Sequence, residues 1–194
     1  GRDREVQDLL DLVIAERIVV VHSPSGAGKS SLLQAGLIPR LRAEGFTVGS
    51  VIRVGFEPPE RTDADRYTLS ALLSLEESTT AAGHVPISEL ARQDLAGYLE
   101  RRRAQTHTEA EVLIFDQFEE VLTLDPADHD RKLAFFAGLA AVLKQRATWA
   151  VFAIREDHLA ALDPYRRLLP TRLTTTYRLD LLTAESALAA IQAP

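Results

Sequence analysis

The sequence predicts an α/β fold of three layers, with a parallel sheet held between two layers of helices. Three observations carry that reading. Apolar runs of strand length alternate along the chain with segments whose apolar residues recur at helical spacing, the pattern of βαβ units. One run, Glu111-Val-Leu-Ile-Phe-Asp116, is unbroken in its apolar stretch, which suits a strand covered on both faces. Finally, an apolar strand, a glycine-rich turn and a helix follow one another directly at Arg17–Ile38. Crossovers in such sheets are right-handed, and ligands lie beyond the carboxyl ends of the strands.

Taken in order, residues 1–16 form an amphipathic helix, with Val6, Leu9, Leu10, Val13 and Ile14 on one stripe. Ile18–His22 is the first strand. A helix follows the glycine-rich loop to about Ala43 and is closed by Gly45. Phe46–Gly55 reads as a second strand, and Pro58-Pro59 opens a polar loop. Helical patterns cover Thr68–Glu77 and Ile87–Arg103, separated by the weakly patterned Ser78–Val85. Glu111–Asp116 is the third strand. A long helix spans Pro126–Gln145, with Asp128-His129-Asp130 as its polar start and Trp149 in the core. Trp149–Ile154 is the fourth strand, Glu156–Leu169 a helix and Thr174–Leu181 the fifth strand. Thr183 is an N-cap and Glu185 an early acid of a last helix. These segments make a core over residues 1–182 and the start of a truncated helical lid over 183–194.

The loop Ser23-Pro-Ser-Gly-Ala-Gly-Lys-Ser30 sits in the context a phosphate-binding loop requires. Glycine allows the backbone to approach phosphates closely in dihedrals other residues avoid. Ser25, Gly26, Ala27, Gly28, Lys29, Ser30 and Ser31 are therefore the candidate nucleotide-binding residues. Lys29 would supply a point charge to the β- and γ-phosphates, and the Ser30 hydroxyl would ligate Mg²⁺. The usual pattern has a glycine where Ser23 stands. Lysine is otherwise scarce: three residues (Lys29, Lys132 and Lys144) against nineteen arginines, which argues against a chance match at position 29.

Asp116 ends a buried strand, where its carboxylate can reach Mg²⁺ directly or through water. Hydrolysis needs an acid that orients water in line with the γ-phosphate. Gln117 follows Asp116, and the acids come later, at Glu119 and Glu120; Glu120 is the favoured one. The same acids also suit the first turn of a helix, where the dipole stabilises them. Arg155, at the end of the fourth strand, is placed to sense the γ-phosphate, or else pairs with Glu156 or Asp157. Arg166, Arg167 and Arg172 are candidates for an arginine acting on a neighbouring subunit.

Composition bounds the rest. A chain of 194 residues suits one domain with a proper core. No apolar run approaches the roughly 20 residues of a membrane span. The net charge of −6 argues against a general nucleic-acid surface. The five histidines show no metal-ligand spacing, and Arg101-Arg-Arg103 reads as a solvated helix end. The chain has no cysteine, which removes thiolate metal sites and fits a reducing cytoplasm. It also lacks methionine, as expected for a piece excised from a longer protein.

Several segments resemble one family. Gly1-Arg-Asp-Arg-Glu5 resembles the Gly-Arg-Glu-x-Glu box of STAND signalling ATPases and origin-recognition AAA+ proteins. Val112-Leu-Ile-Phe-Asp-Gln-Phe-Glu-Glu120 is similar to the extended Walker B of the STAND class, which is related to NACHT and NB-ARC ATPases. Ala153-Ile-Arg-Glu-Asp-His158 and Arg172–Leu182 are similar to the sensor and fifth-strand segments of the bacterial novel STAND NTPase domain. The resemblance implies a P-loop NTPase sheet in the AAA+-like order 5-1-4-3-2, ATP and Mg²⁺ as cofactors, and Gly1 and Arg2 beside the nucleotide. It further implies a signalling switch in a multidomain protein, with slow hydrolysis or exchange coupled to homo-oligomerisation. An effector and a repeat-type sensor domain would flank it. A non-hydrolysing regulatory module and a DNA-acting AAA+ ATPase are the alternatives.

Overall fold

The computed structural model describes residues 2–56, 65–77, 85–106 and 109–181. Its first helix, α1 (Asp3–Glu16), buries the stripe Val6, Leu9, Leu10 and Val13 against the sheet layer, and Ile14 stays exposed. Strand β1 (Ile18–Ser23) leads through the glycine-rich loop into α2 (Lys29–Ser31). A π-helical segment, Leu32–Leu37, and α3 (Ile38–Ala43) continue the same rod. The single helix expected here is thus built with a wide turn. Pro39 has no N–H for an α-helical bond to residue 35, and its ring would clash with that carbonyl. Gly36 in the wide turn lets α1 approach closely: a Cβ there would stand 2.5 Å from Val6 Cγ2.

Strand β2 is only Thr47–Val48, paired with Glu111 and Val112, where Phe46–Gly55 was expected as one strand. The ladder is interrupted at Gly49 and Ser50, where glycine has no side chain to pack on the pleat and serine only a small polar one. Pairing resumes for one residue at Ile52, whose N–H donates to Ile114 O at 2.7 Å and whose carbonyl accepts from Asp116 N at 2.9 Å.

Helix α4 (Arg66–Glu76) starts at Asp65, which accepts from Tyr67 N and Thr68 N. The helix expected over Ile87–Arg103 is two: α5 (Ile87–Leu90) and α6 (Leu95–Thr106). Asp94 restarts the chain by accepting from Gly97 N at 2.8 Å, an N-cap bond.

Strand β3 (Glu111–Phe115) is buried at every position, as its composition predicts. Helix α7 (Glu120–Thr123) is a single turn, and α8 (His129–Leu143) begins after Asp128 in the predicted polar start. Strand β4 (Thr148–Arg155) includes Trp149, which is half-buried rather than central. Its ring meets Phe46 edge-on at 5.1 Å and lies under the Arg17 guanidinium. Glu156–Leu169 is not one α-helix but a 3₁₀ stretch, Glu156–Leu162, followed by α9 (Asp163–Arg166), with Pro164 in the first turn of α9. A turn at Pro170–Leu173, with positive φ at Thr171, Arg172 and Leu173, precedes β5 (Thr176–Arg178), shorter than the predicted Thr174–Leu181. Gly1, the Pro58-Pro59 loop and the lid over 183–194, with Thr183 and Glu185, lie outside the described residues.

The five strands are all parallel, in the order β2-β3-β4-β1-β5, which is the expected order read from the other edge. Alternation along the strands divides the core in two. Val19, Val21, Ile114, Val151 and Ala153 face α1 and the π segment. Val20, Leu113, Phe115, Phe152 and Ile154 face α4, α6 and α8, where Phe118, Phe135 and Phe136 fill the space. Among the described residues no helix is long and apolar enough to cross a membrane.

Candidate functional site

The carboxyl ends of β1, β3 and β4 bring the predicted residues to one place. The glycine-rich loop reaches it through positive φ at Gly26 (79°) and Gly28 (84°). A Cβ at either glycine would meet nothing within 4 Å, so conformation and not crowding calls for glycine there. Ala27 is buried, whereas Ser25, Gly26, Gly28 and Ser31 are exposed along the loop rim. Lys29 folds back over the loop, its Nζ donating to Ser23 Oγ at 2.8 Å. Ser23 is fully buried and gives Lys29 a resting partner that a glycine could not. Burial holds the Lys29 ammonium below its usual range, while Glu119 and then Asp116 act to raise it.

The central contact joins the loop to β3. Ser30 Oγ donates to Asp116 Oδ2 at 2.8 Å. Asp116 is 1% exposed, and its other oxygen accepts from Gln117 N at 3.0 Å. Gln117 has φ 54°, an uncommon left-handed value for a residue with a side chain. The sharp turn lets Phe118 plunge into the core, its N–H on Ala153 O at 2.9 Å and its ring 4.8 Å from that of Phe152.

With Phe118 anchored, the two adjacent glutamates diverge. Glu119 Oε2 accepts from Arg155 N at 3.2 Å, on the Lys29 side. Glu120 lies against Gly55, so close that a Cβ there would be 2.1 Å from Glu120 Oε2. Burial pushes the Glu120 carboxyl up, with Arg53 opposing and Glu119 reinforcing the shift. The Arg155 guanidinium turns to Asp157, with contacts of 3.1 and 2.6 Å, so only its backbone joins the acids. Arg2 does not point free into the site: its Nη2 donates to Ala27 O and to Asp180 O, each at 2.9 Å, tying α1 to the loop and to the end of β5.

One residue of the site escaped the sequence reading. Arg53 follows the Ile52 bridge and sets its Nη2 3.3 Å from Asp116 Oδ2. The available signal was an arginine inside the apolar run Val51-Ile-Arg-Val54, on the strand neighbouring β3. Arg53, Gly55 and Glu120 also line a cleft of about 920 Å³ that runs between α3 and α4 beside the edge strand.

Asp116 and Ser30 present a carboxylate and a hydroxyl, hard oxygens of the type Mg²⁺ takes. The described residues hold no group of three or more His, Cys, Asp or Glu side chains placed for a metal. A metal shared with phosphates needs only one or two carboxylates, so the donor set fits. The exposed loop amides at positive φ fit the phosphates themselves.

The fold recurs in solved structures. A Walker-type ATPase of Pyrococcus abyssi superposes with a TM-score of 0.68 at 13% identity, over 97% of this chain and 56% of that one. The Aeropyrum pernix ORC2 protein in its ADP form gives 0.57 at 13% identity, over 98% and 50%. Drosophila ORC bound to DNA gives 0.58 at 14%, over 98% and 31%. The chain thus spans between 31% and 56% of these proteins' own length. No curated relative matches the sequence. A family model described as "Novel STAND NTPase 1" matches residues 1–194. With its five-stranded parallel sheet and the loop, Asp116 and Arg155 at one end of it, this chain belongs to the novel STAND NTPase family.

Proposed function

We propose that this domain is the Mg-ATP-binding switch of a larger signalling protein. The observation that carries the reading is the 2.8 Å contact from Ser30 to Asp116, which couples the glycine-rich loop to the end of β3. Residues 25–31 would wrap the phosphates, and Lys29 would leave Ser23 for the β- and γ-oxygens. Ser30 and Asp116 would hold Mg²⁺, which supplies neutralisation of the phosphate charge. Arg2 would keep the loop in place through Ala27 O.

Of the two candidate acids, Glu119 is the better placed to orient water, because its carboxylate lies at the end of β4 on Arg155 N, whereas that of Glu120 is packed against Gly55. Glu120 is engaged at the cleft. Arg155 would sense the γ-phosphate only after releasing Asp157. Differential contact with the γ-phosphate is what would bias two states of the domain. Effector and repeat-type sensor domains, homo-oligomerisation on activation and a cytoplasmic setting complete the reading, on the strength of the family.

Calorimetry with Mg-ATP tests the foundation: Lys29→Ala should weaken binding by at least about 100-fold, roughly 2.7 kcal/mol, and unchanged affinity would overturn it. Single-turnover hydrolysis then separates the acids. Glu119→Gln should slow it by about 100-fold, the low end for a lost general base, with Glu120→Gln close to wild type. Turnover that survives both changes rules out this role for the acids, and no turnover in the wild-type protein leaves a binding module. A DNA-acting role, suggested by the DNA-bound ORC relative, requires binding that weakens steeply with salt.

A further inference from the structure

We propose that Arg53 is a cation placeholder on Asp116: its guanidinium occupies the carboxylate and must leave before Mg²⁺ can bind there. Arg53 therefore sets how much Mg²⁺ the domain needs to take up nucleotide. The inference rests on nucleotide and Mg²⁺ binding at the glycine-rich loop as proposed above.

A carboxylate that is 1% exposed needs a compensating charge. Lys29, the cation of the loop, is parked on Ser23. The ion pair of Asp116 is instead with Arg53, at the oxygen that also accepts from Ser30. That oxygen is the one nearest the Ser30 hydroxyl, so a metal shared by Ser30 and Asp116 would arrive beside the guanidinium. Two cations a few ångströms apart on one carboxylate repel each other, and one must yield.

Arg53 is built to yield. Its backbone is pinned to α4: its N–H donates to Ser74 Oγ at 3.1 Å, and its carbonyl accepts from Ser70 Oγ at 2.9 Å and Ser74 Oγ at 3.2 Å. Its side chain is 49% exposed and holds Asp116 through one nitrogen at 3.3 Å, not through the two-pronged grip that arginine makes in strong pairs. The pivot is fixed and the head is free. Glu120, on the wall of the same cleft, offers the released guanidinium a second carboxylate.

The test is a titration of a fluorescent ATP analogue at graded free Mg²⁺ on wild type, Arg53→Gln and Arg53→Lys. Arg53→Gln should lower the half-saturating Mg²⁺ by about tenfold, and Arg53→Lys, whose shorter reach loosens the pair, by about threefold. Affinity for the analogue in EDTA should stay within about threefold of wild type in both. An unchanged or higher Mg²⁺ requirement overturns the inference and leaves the nucleotide reading standing. A wild-type protein that binds no nucleotide at any Mg²⁺ concentration overturns both. If Arg53→Gln fails to give a cooperative thermal melt, the Arg53→Lys titration decides by the same criterion.

Discussion

Strand β3 meets a buried acid at each end, and each acid faces an arginine, yet the two pairs are built to different ends. At its start Glu111, 3% exposed in its side chain, accepts Arg103 Nε at 3.2 Å. Arg103 is itself only 14% exposed and also donates to Thr148 Oγ1 and Gln145 Oε1. Just past its end, Asp116 receives one nitrogen from an arginine that is 49% exposed. At the first end the guanidinium is surrounded by acceptors on β3, on β4 and on the turn that leads into β4. Its hydrogen-bonding capacity is largely used, which makes it a fastener. At the second end much of that capacity is open to solvent. Saturation marks the fastened end of the sheet, and incomplete saturation marks the end that carries the glycine-rich loop.

The largest expected effect tests the closed end. Arg103→Ala leaves Glu111 buried without its partner and should cost about 3–5 kcal/mol in urea unfolding. Thr148→Val removes one acceptor from the same guanidinium, in a fully buried position, and should cost about 1–2 kcal/mol. Arg53→Ala should cost less than Arg103→Ala, about 1–2 kcal/mol, because it removes a single contact from a half-exposed arginine while Ser30 Oγ and Gln117 N still donate to Asp116. Equal losses for Arg103→Ala and Arg53→Ala would break the comparison.

The smallest effect concerns pH. Burial raises the Glu120 carboxyl above its ordinary value of 4.5. Just above pH 4.5 the folded chain then holds more protons than the unfolded one, so this group's stabilisation is complete at lower pH and is lost as pH rises through the raised value. Glu120→Gln should flatten the stability curve between pH 4.5 and the raised value, and leave the variant as stable as wild type, or slightly more so, at neutral pH. Parallel curves for the two proteins would show that the cleft wall at Glu120 is as wet as open surface.

Much of this molecule was legible locally. β3 announces itself because four consecutive apolar residues satisfy a strand with both faces covered, and the acid after it is forced to the strand's end. The loop is legible because Gly26 and Gly28 supply dihedrals that other residues resist. The break in β2 was not, because Gly49-Ser50 is tolerable in an isolated strand and fails only when the ladder to β3 must be filled. Nor was the π turn, because Pro39 would equally have allowed the helix to kink or stop there. Arg53 stayed hidden because its partner is 63 residues away, and only the register between the edge strand and β3 brings the two together.

The sequence by itself determined the alternation of strands and helices, the parallel sheet, the glycine-rich loop and the acid that follows β3. These follow from periodicity, from glycine's dihedral freedom and from the burial of apolar runs, all properties of short segments. Only the tertiary structure decided which cation neutralises Asp116, and that Glu119 and Glu120 face different neighbours. Those outcomes rest on a left-handed residue at Gln117, on the anchoring of Phe118 in the core and on strand register across the sheet. Adjacent side chains diverge, and distant ones meet, only when the whole core has packed.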